Sequence, residues 1–248
     1  MERVIYDRMA QIDQDHWWFV GRRRIVTALI EKFRPIKGPL RILEVGAGTG
    51  SNIAMLQTFG TVDAIEPDDT AREFATKRTG VPIRGGYLPD VPLEDGHYDL
   101  IVLLDVLEHI PNDREALTAL LPKLAPGGRL LLTVPAMPGL WSGHDEAHHH
   151  HRRYTAATLE AVVRAGGFRT IHRSAFNSLL LPAIVAVRFL NKLRGREGGD
   201  EDALPPKPVN RMLAALFGAE RHAAVRGLLP VGVSLGLVAE PAGAGTTR

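Results

Sequence analysis

The chain has 248 residues, ten histidines and no cysteine, with 30 basic against 28 acidic side chains and a formal net charge of +2. That near-balance leaves nothing like the dense positive field needed to hold a phosphate backbone, so no nucleic-acid partner is expected. Without cysteine there is no disulfide, thiolate nucleophile or thiolate metal site, which fits a reducing compartment and makes the cytoplasm the expected location.

The first eighteen residues, MERVIYDRMAQIDQDHWW, mix acids and bases and lack the apolar run of a secretion signal, so no export is expected. Two helical segments, Glu2 to Gln14 and Arg22 to Phe33, precede the first strand, with Pro35 and Gly38 closing the second. They form a helical cap over residues 1–38. The runs RILEV, VDAIE, PIRG, YDLIVLL and RLLLTVP then alternate with helix-forming stretches. This rhythm predicts a parallel sheet, and unbroken apolar runs such as LIVLL predict strands covered by helices on both faces.

A polar loop runs from Pro135 to Arg153, followed by a helix from Thr155 to Ala165 and a strand FRTIHR. The last strand lies in VGVSLGLVAE. The fifty or so residues between those strands are too many for a hairpin and read as a helical insertion, residues 177–230, broken by an exposed linker at 194–208. The predicted architecture is one α/β domain over 1–248: a Rossmann-like, doubly wound, seven-stranded and mostly parallel sheet in 39–176, closed by an antiparallel last strand in 231–240. The run LLLPAIVAV, residues 179–187, is too short to span a bilayer, yet basic residues follow it and a peripheral membrane contact stays open.

The strongest local signal is RILEVGAGTGSNIAML, where a strand ends in Glu44, passes Gly46, Gly48 and Gly50, and opens a helix at Ser51. Glycine is needed where a ligand lies against bare backbone. A dinucleotide fingerprint would place its third glycine at position 51, where this chain has serine. The GxGxG spacing resembles instead the first motif of class I methyltransferases, whose loop holds S-adenosylmethionine. The segment GGYLPDVPLEDGHYDLIVLLDVLEHI is similar to that family's third and fourth strands, and the HWWF and HD...HxRRY phrases are similar to a bacterial subgroup of it.

The resemblance implies an S-adenosylmethionine-dependent methyltransferase. It implies donor contacts from Glu44, Gly46, Ala47, Gly48 and Gly50, from Glu66 with Pro67 at the end of the second strand, from Tyr87 with Leu88, and from Asp105 with Val106. Glu66 is the expected ribose ligand. Tyr87 stands where family members often carry an aspartate, so the adenine contact rests on its ring and the Leu88 amide. His109 and, in the loop, His150 are the expected catalytic residues, suited to removing a proton from a hydroxyl. A divalent ion on Asp105, Glu108, His109 and His150, implied by likeness to metal-using members, is the less favoured alternative. Trp17 and Trp18 with Arg22 to Arg24 form a candidate lid, an arginine reaching the donor carboxylate.

The expected acceptor is a small or lipid-like molecule, with oxygen the expected atom. Two rivals stay open: an NAD(P)-dependent oxidoreductase sharing the glycine loop, and a non-catalytic membrane-surface binding protein. The sequence leaves oligomeric state open.

Overall fold

A computed structural model describes residues 3–193 and 203–243. Its sheet has seven strands: β1 Leu40–Val45, β2 Gly60–Ile65, β3 Ile83–Arg84, β4 Tyr98–Leu104, β5 Leu124–Pro135, β6 Phe168–Phe176 and β7 Ser234–Pro241. Their order is β3-β2-β1-β4-β5-β7-β6. The pairs among β1 to β5 are parallel, while β7 runs antiparallel to both β5 and β6. The chain reverses its winding between β1 and β4, which opens a crevice at the carboxyl ends of those strands, where ligands of open α/β sheets bind.

Alternate residues of each strand feed two separate cores. Leu43, Val45, Ile101, Leu103, Leu130 and Leu132 pack on one face with Leu117, Leu120, Leu159 and Val163. Ile42, Ala64, Leu100, Val102, Leu104 and Leu131 pack on the other with Ile25, Leu29, Phe176 and Phe217. Helices on both sides therefore explain why β4 is buried at all seven positions and reads as one apolar run.

Ten helices accompany the strands in the described residues: α1 Arg3–Ile12, α2 Trp17–Phe33, α3 Ile53–Gln57, α4 Asp69–Thr79, α5 Asp113–Leu120, α6 Gly143–Ala147, α7 Ala156–Ala165, α8 Leu181–Leu193, α9 Lys207–Ala219 and α10 Arg221–Ala224. The second helix starts five residues earlier than expected, at Trp17, because the His16 side chain accepts from the Trp18 amide and caps it. The 135–153 segment is also not a plain loop. A capping box between Ser142 and Asp145 opens the short helix α6 within it. The expected insertion appears as α8, α9 and α10, with α9 packed on α2. Residues 194–202 of the expected linker lie outside the described residues, and Lys207 and Pro208, placed in that linker, belong to α9. No helix of the described residues is long and apolar enough to cross a membrane.

Candidate active site

A cavity of about 1350 Å³ opens at the carboxyl ends of β1, β2 and β4. That exceeds a typical single-ligand pocket and leaves room for two molecules side by side. Its donor-side wall is the turn after β1. Gly46 (φ 71°) lies so close to Val106 that a Cβ would sit 2.7 Å from Val106 Cγ2. Gly48 (φ 55°) has open space where its Cβ would be, so its backbone borders the cavity bare.

Glu66, almost fully buried at the end of β2, accepts from the Gly48 amide at 2.7 Å and from the Asp68 amide at 3.1 Å. These bonds fix the carboxylate beside the glycine turn.

Of the donor-side residues singled out in the sequence, Gly46, Ala47, Gly48, Glu66, Pro67, Tyr87, Leu88, Asp105 and Val106 line this cavity. Gly50 and Glu44 do not. At Gly50 a Cβ would meet Ala75 and Thr79 at 3.0 Å, so it gives α4 room to pack. Glu44 is buried beneath the turn, accepting from Asn52 Nδ2 at 2.9 Å. Burial pushes its carboxyl up to about 7, against the opposing pull of that hydrogen bond and of Arg22. Tyr87 is largely exposed at the rim.

Asp105 also has a positive φ, 57°, at the end of β4. Its carboxylate pairs with the buried Arg22 guanidinium and accepts from Thr133 Oγ1 at 3.0 Å. Arg22 reaches the Leu104 carbonyl and Asn52 as well, both at 3.2 Å, and its guanidinium lies 4.7 Å from the Trp18 ring centre. The lid arginine therefore braces β4 and the glycine turn instead of standing free over the cavity. Trp17 packs against Phe217 of α9. The cap is fastened from its other end by Asp13, which is fully buried, accepts from Arg78 Nη1 at 2.7 Å and receives the Thr49 hydroxyl.

Opposite the glycine turn, the histidine-rich segment folds back on the turn after β4. Arg152 pairs with Asp113 at 2.6 Å, the Tyr154 hydroxyl donates to Asp113 at 2.8 Å, and the His151 amide donates to the Glu108 carbonyl at 2.9 Å. These links bring His109 and His150 together, ring centres 4.6 Å apart. Behind them, Asp145 Oδ1 lies 2.9 Å from His150 Nδ1 and 2.7 Å from Arg153 Nε. Burial pushes the Asp145 carboxyl up, but the hydrogen bonds from His150 and Arg153 outweigh it and hold it below the usual carboxylate range. As an acceptor only, Asp145 takes its hydrogen bond from Nδ1–H, which fixes the orientation of the His150 ring. Burial, reinforced by the neighbouring His150 and His148, pushes His109 down to about 3 and keeps it neutral.

Glu108 is fully buried, and neither carboxylate oxygen has a hydrogen-bond partner. Burial and the nearby Asp105 hold its carboxyl well above the usual range. Glu108, His109 and His150 offer ligand atoms all within 4.8 Å of one another, the donor set of a divalent cation. Asp105, placed in that set from sequence, is tied instead to Arg22 and Thr133.

The sequence marked Asp145 only as one of several polar residues of the histidine-rich loop and assigned it no role, although its place in the HD phrase was the available signal. Sequence reasoning also missed Asp13, whose contacts with Arg78 and Thr49 are distant in sequence.

A profile described as a methyltransferase domain matches residues 19–173. The chain belongs to the class I methyltransferase family. A ubiquinone biosynthesis O-methyltransferase of Rickettsia bellii is 33% identical over 104 residues, covering 38% of this chain and 42% of that protein. A demethylmenaquinone methyltransferase of Clavibacter sepedonicus is 28% identical over 151 residues, 56% of this chain and 58% of that one. The chain spans about half the length of the curated relatives it matches. Among solved structures, geranyl diphosphate methyltransferase in complex with S-adenosylmethionine superposes with a TM-score of 0.58 at 14% identity, covering 88% of this chain and 85% of that one, a likeness of fold. Family membership sets aside the oxidoreductase reading of the glycine turn.

Proposed function

We propose that the protein transfers a methyl group from S-adenosylmethionine to a hydroxyl oxygen of a small, largely apolar acceptor. The observation that carries this reading is the continuity of one cavity from the bare Gly46–Gly48 backbone and Glu66 to the His109–His150 pair. Gly46, Ala47, Gly48, Glu66 with Pro67, Tyr87 with Leu88, and Val106 beside Asp105 hold the donor, with Glu66 taking the ribose hydroxyls. Leu180 and, from α8, Ala183, Ile184 and Val187 give the far wall an apolar stretch, with Arg188 of the same helix beside it. Exposed Val185, Val187 and Leu190 on the same helix suit a lipid-like acceptor and a peripheral contact with a lipid surface.

The chemistry is an in-line displacement. An acceptor oxygen forms a bond to the methyl carbon as the sulfur–carbon bond breaks, and the sulfonium becomes the thioether of S-adenosylhomocysteine. Alignment and exclusion of water supply most of the acceleration. The hydroxyl proton passes to His150 Nε2, and the imidazolium so formed is stabilised by Asp145 behind it. His109, held neutral with a value far below neutral pH, is a weak base, and its part is to hydrogen-bond and orient the acceptor.

The bare Glu108 carboxylate favours a second reading, in which Glu108, His109 and His150 hold a divalent cation that would acidify the acceptor hydroxyl. Incubation with methyl-labelled donor and a lipid extract tests the first reading. Label recovered in the organic phase as an ether stable to alkali supports it; label only in water-soluble or alkali-labile product contradicts it. Loss of that turnover on chelation, restored by one added cation, moves the histidines to the second reading.

A further inference from the structure

The turn that follows β6 carries a polar group the donor site does not use. Asn177 lines the cavity, is 1% exposed, and neither its Oδ1 nor its Nδ2 has a hydrogen-bond partner. A buried amide with both polar atoms unbonded is rare in folded proteins and points to a ligand that supplies the bonds. Its φ of 57° lies in the left-handed region, which asparagine enters more easily than most residues. The conformation is imposed from outside: the nearly buried Glu220 carboxylate accepts from the Ser178 amide at 2.9 Å and from the Leu179 amide at 2.8 Å. Asn177 is thus fixed just past β6, whose last residue Phe176 pairs with Ser234 of β7, and it lines the cavity together with Ser234 and with Ala183, Ile184, Val187 and Arg188 of α8.

We infer that Asn177 is the acceptor-recognition residue, and that it binds an uncharged edge of two adjacent polar atoms on an otherwise apolar molecule. One atom of that edge donates to Oδ1 and the other accepts from Nδ2, as in neighbouring hydroxyls or a hydroxyl beside a carbonyl. A carboxylate or phosphate satisfies only the Nδ2 side and leaves Oδ1 facing negative charge. A hydrocarbon leaves both atoms bare, and a site built to hydrogen-bond a ligand rejects the analogue that cannot. This inference rests on the reading of the cavity as a donor and acceptor site, and it names which acceptors fit.

The test uses the full chain saturated with S-adenosylhomocysteine and two probes of matched size, 4-heptylcatechol and heptylbenzene. The wild type is expected to bind the catechol at least about tenfold more tightly, the equivalent of about 1.4 kcal/mol. Asn177→Gly keeps the left-handed backbone and removes the amide, and should bring the ratio within about twofold of unity while S-adenosylhomocysteine affinity stays unchanged. In the wild type, the Asn177 side-chain amide resonances should shift with the catechol and not with heptylbenzene, a readout that survives failure of the variant to fold. A wild-type ratio near one, a preference retained in Asn177→Gly, or unmoved amide resonances would each overturn the assignment. Catechol bound through Asn177 but never methylated would refute the oxygen-transfer reading alone; catechol methylated equally by Asn177→Gly would refute the recognition role alone.

Discussion

Asp145 Oδ1 stands 2.9 Å from His150 Nδ1 inside a segment that the structure pins to the turn after β4. The carboxylate has no exposure of its own, and Arg153 shares the same oxygen at 2.7 Å, so its orientation is set before any ligand arrives. In the proposed mechanism His150 acts as the base through Nε2, with Asp145 as its positioning residue.

Asp145→Asn should therefore lower kcat by about 100-fold or more, the usual contribution of a positioned base. KM should change little, and S-adenosylhomocysteine should bind as before. The residual rate should climb with pH as solvent takes over the proton. An unchanged pH profile with kcat within about threefold of wild type would refute the dyad.

Glu44 gives a pH-dependent stability. Its carboxyl is raised from 4.5 to about 7 by burial, so the folded state holds a proton that the unfolded state has released. The stabilisation tied to that proton is present below about 4.5 and is lost as pH rises through about 7. Thermal melts of the ligand-free protein should show Tm falling across that window for the wild type. Glu44→Gln, which keeps an acceptor for Asn52, should show a flatter curve and a Tm higher by several degrees at about pH 8. Parallel curves for the two proteins would contradict the assignment.

Asp13 links the helical cap to the donor wall through Arg78 and Thr49. Asp13→Ala leaves Arg78 without its buried partner and should cost about 3 kcal/mol or more of stability. Stopped-flow release of S-adenosylhomocysteine should accelerate about tenfold in that variant as the cap loosens, with association little changed. Equal release rates would show that α1 does not close the donor site.

Much of this was legible in the sequence because the signals were local. The runs LIVLL and LLLTV announce strands buried on both faces, and the glycine turn marks the ligand crevice. What escaped was set by tertiary contacts. The start of α2 hid because histidine is an unusual cap, and α6 because its Ser142–Asp145 box lies in a segment dominated by charge and histidine. Gly50 and Glu44 sit in the motif yet face away from the cavity, a distinction that spacing alone does not make. Asn177 has no sequence signature, since its conformation depends on Glu220, forty-three positions later in the chain.

The position of the donor against Gly48 and Glu66 underlies every proposed step. Calorimetric titration of S-adenosylhomocysteine into the wild type and Glu66→Ala measures it directly. Loss of two charge-assisted ribose bonds should weaken the Kd by about 100-fold, at about 1.5 kcal/mol for each bond. A variant that folds and binds S-adenosylhomocysteine as tightly as the wild type would contradict the placement of the donor against Gly48 and Glu66.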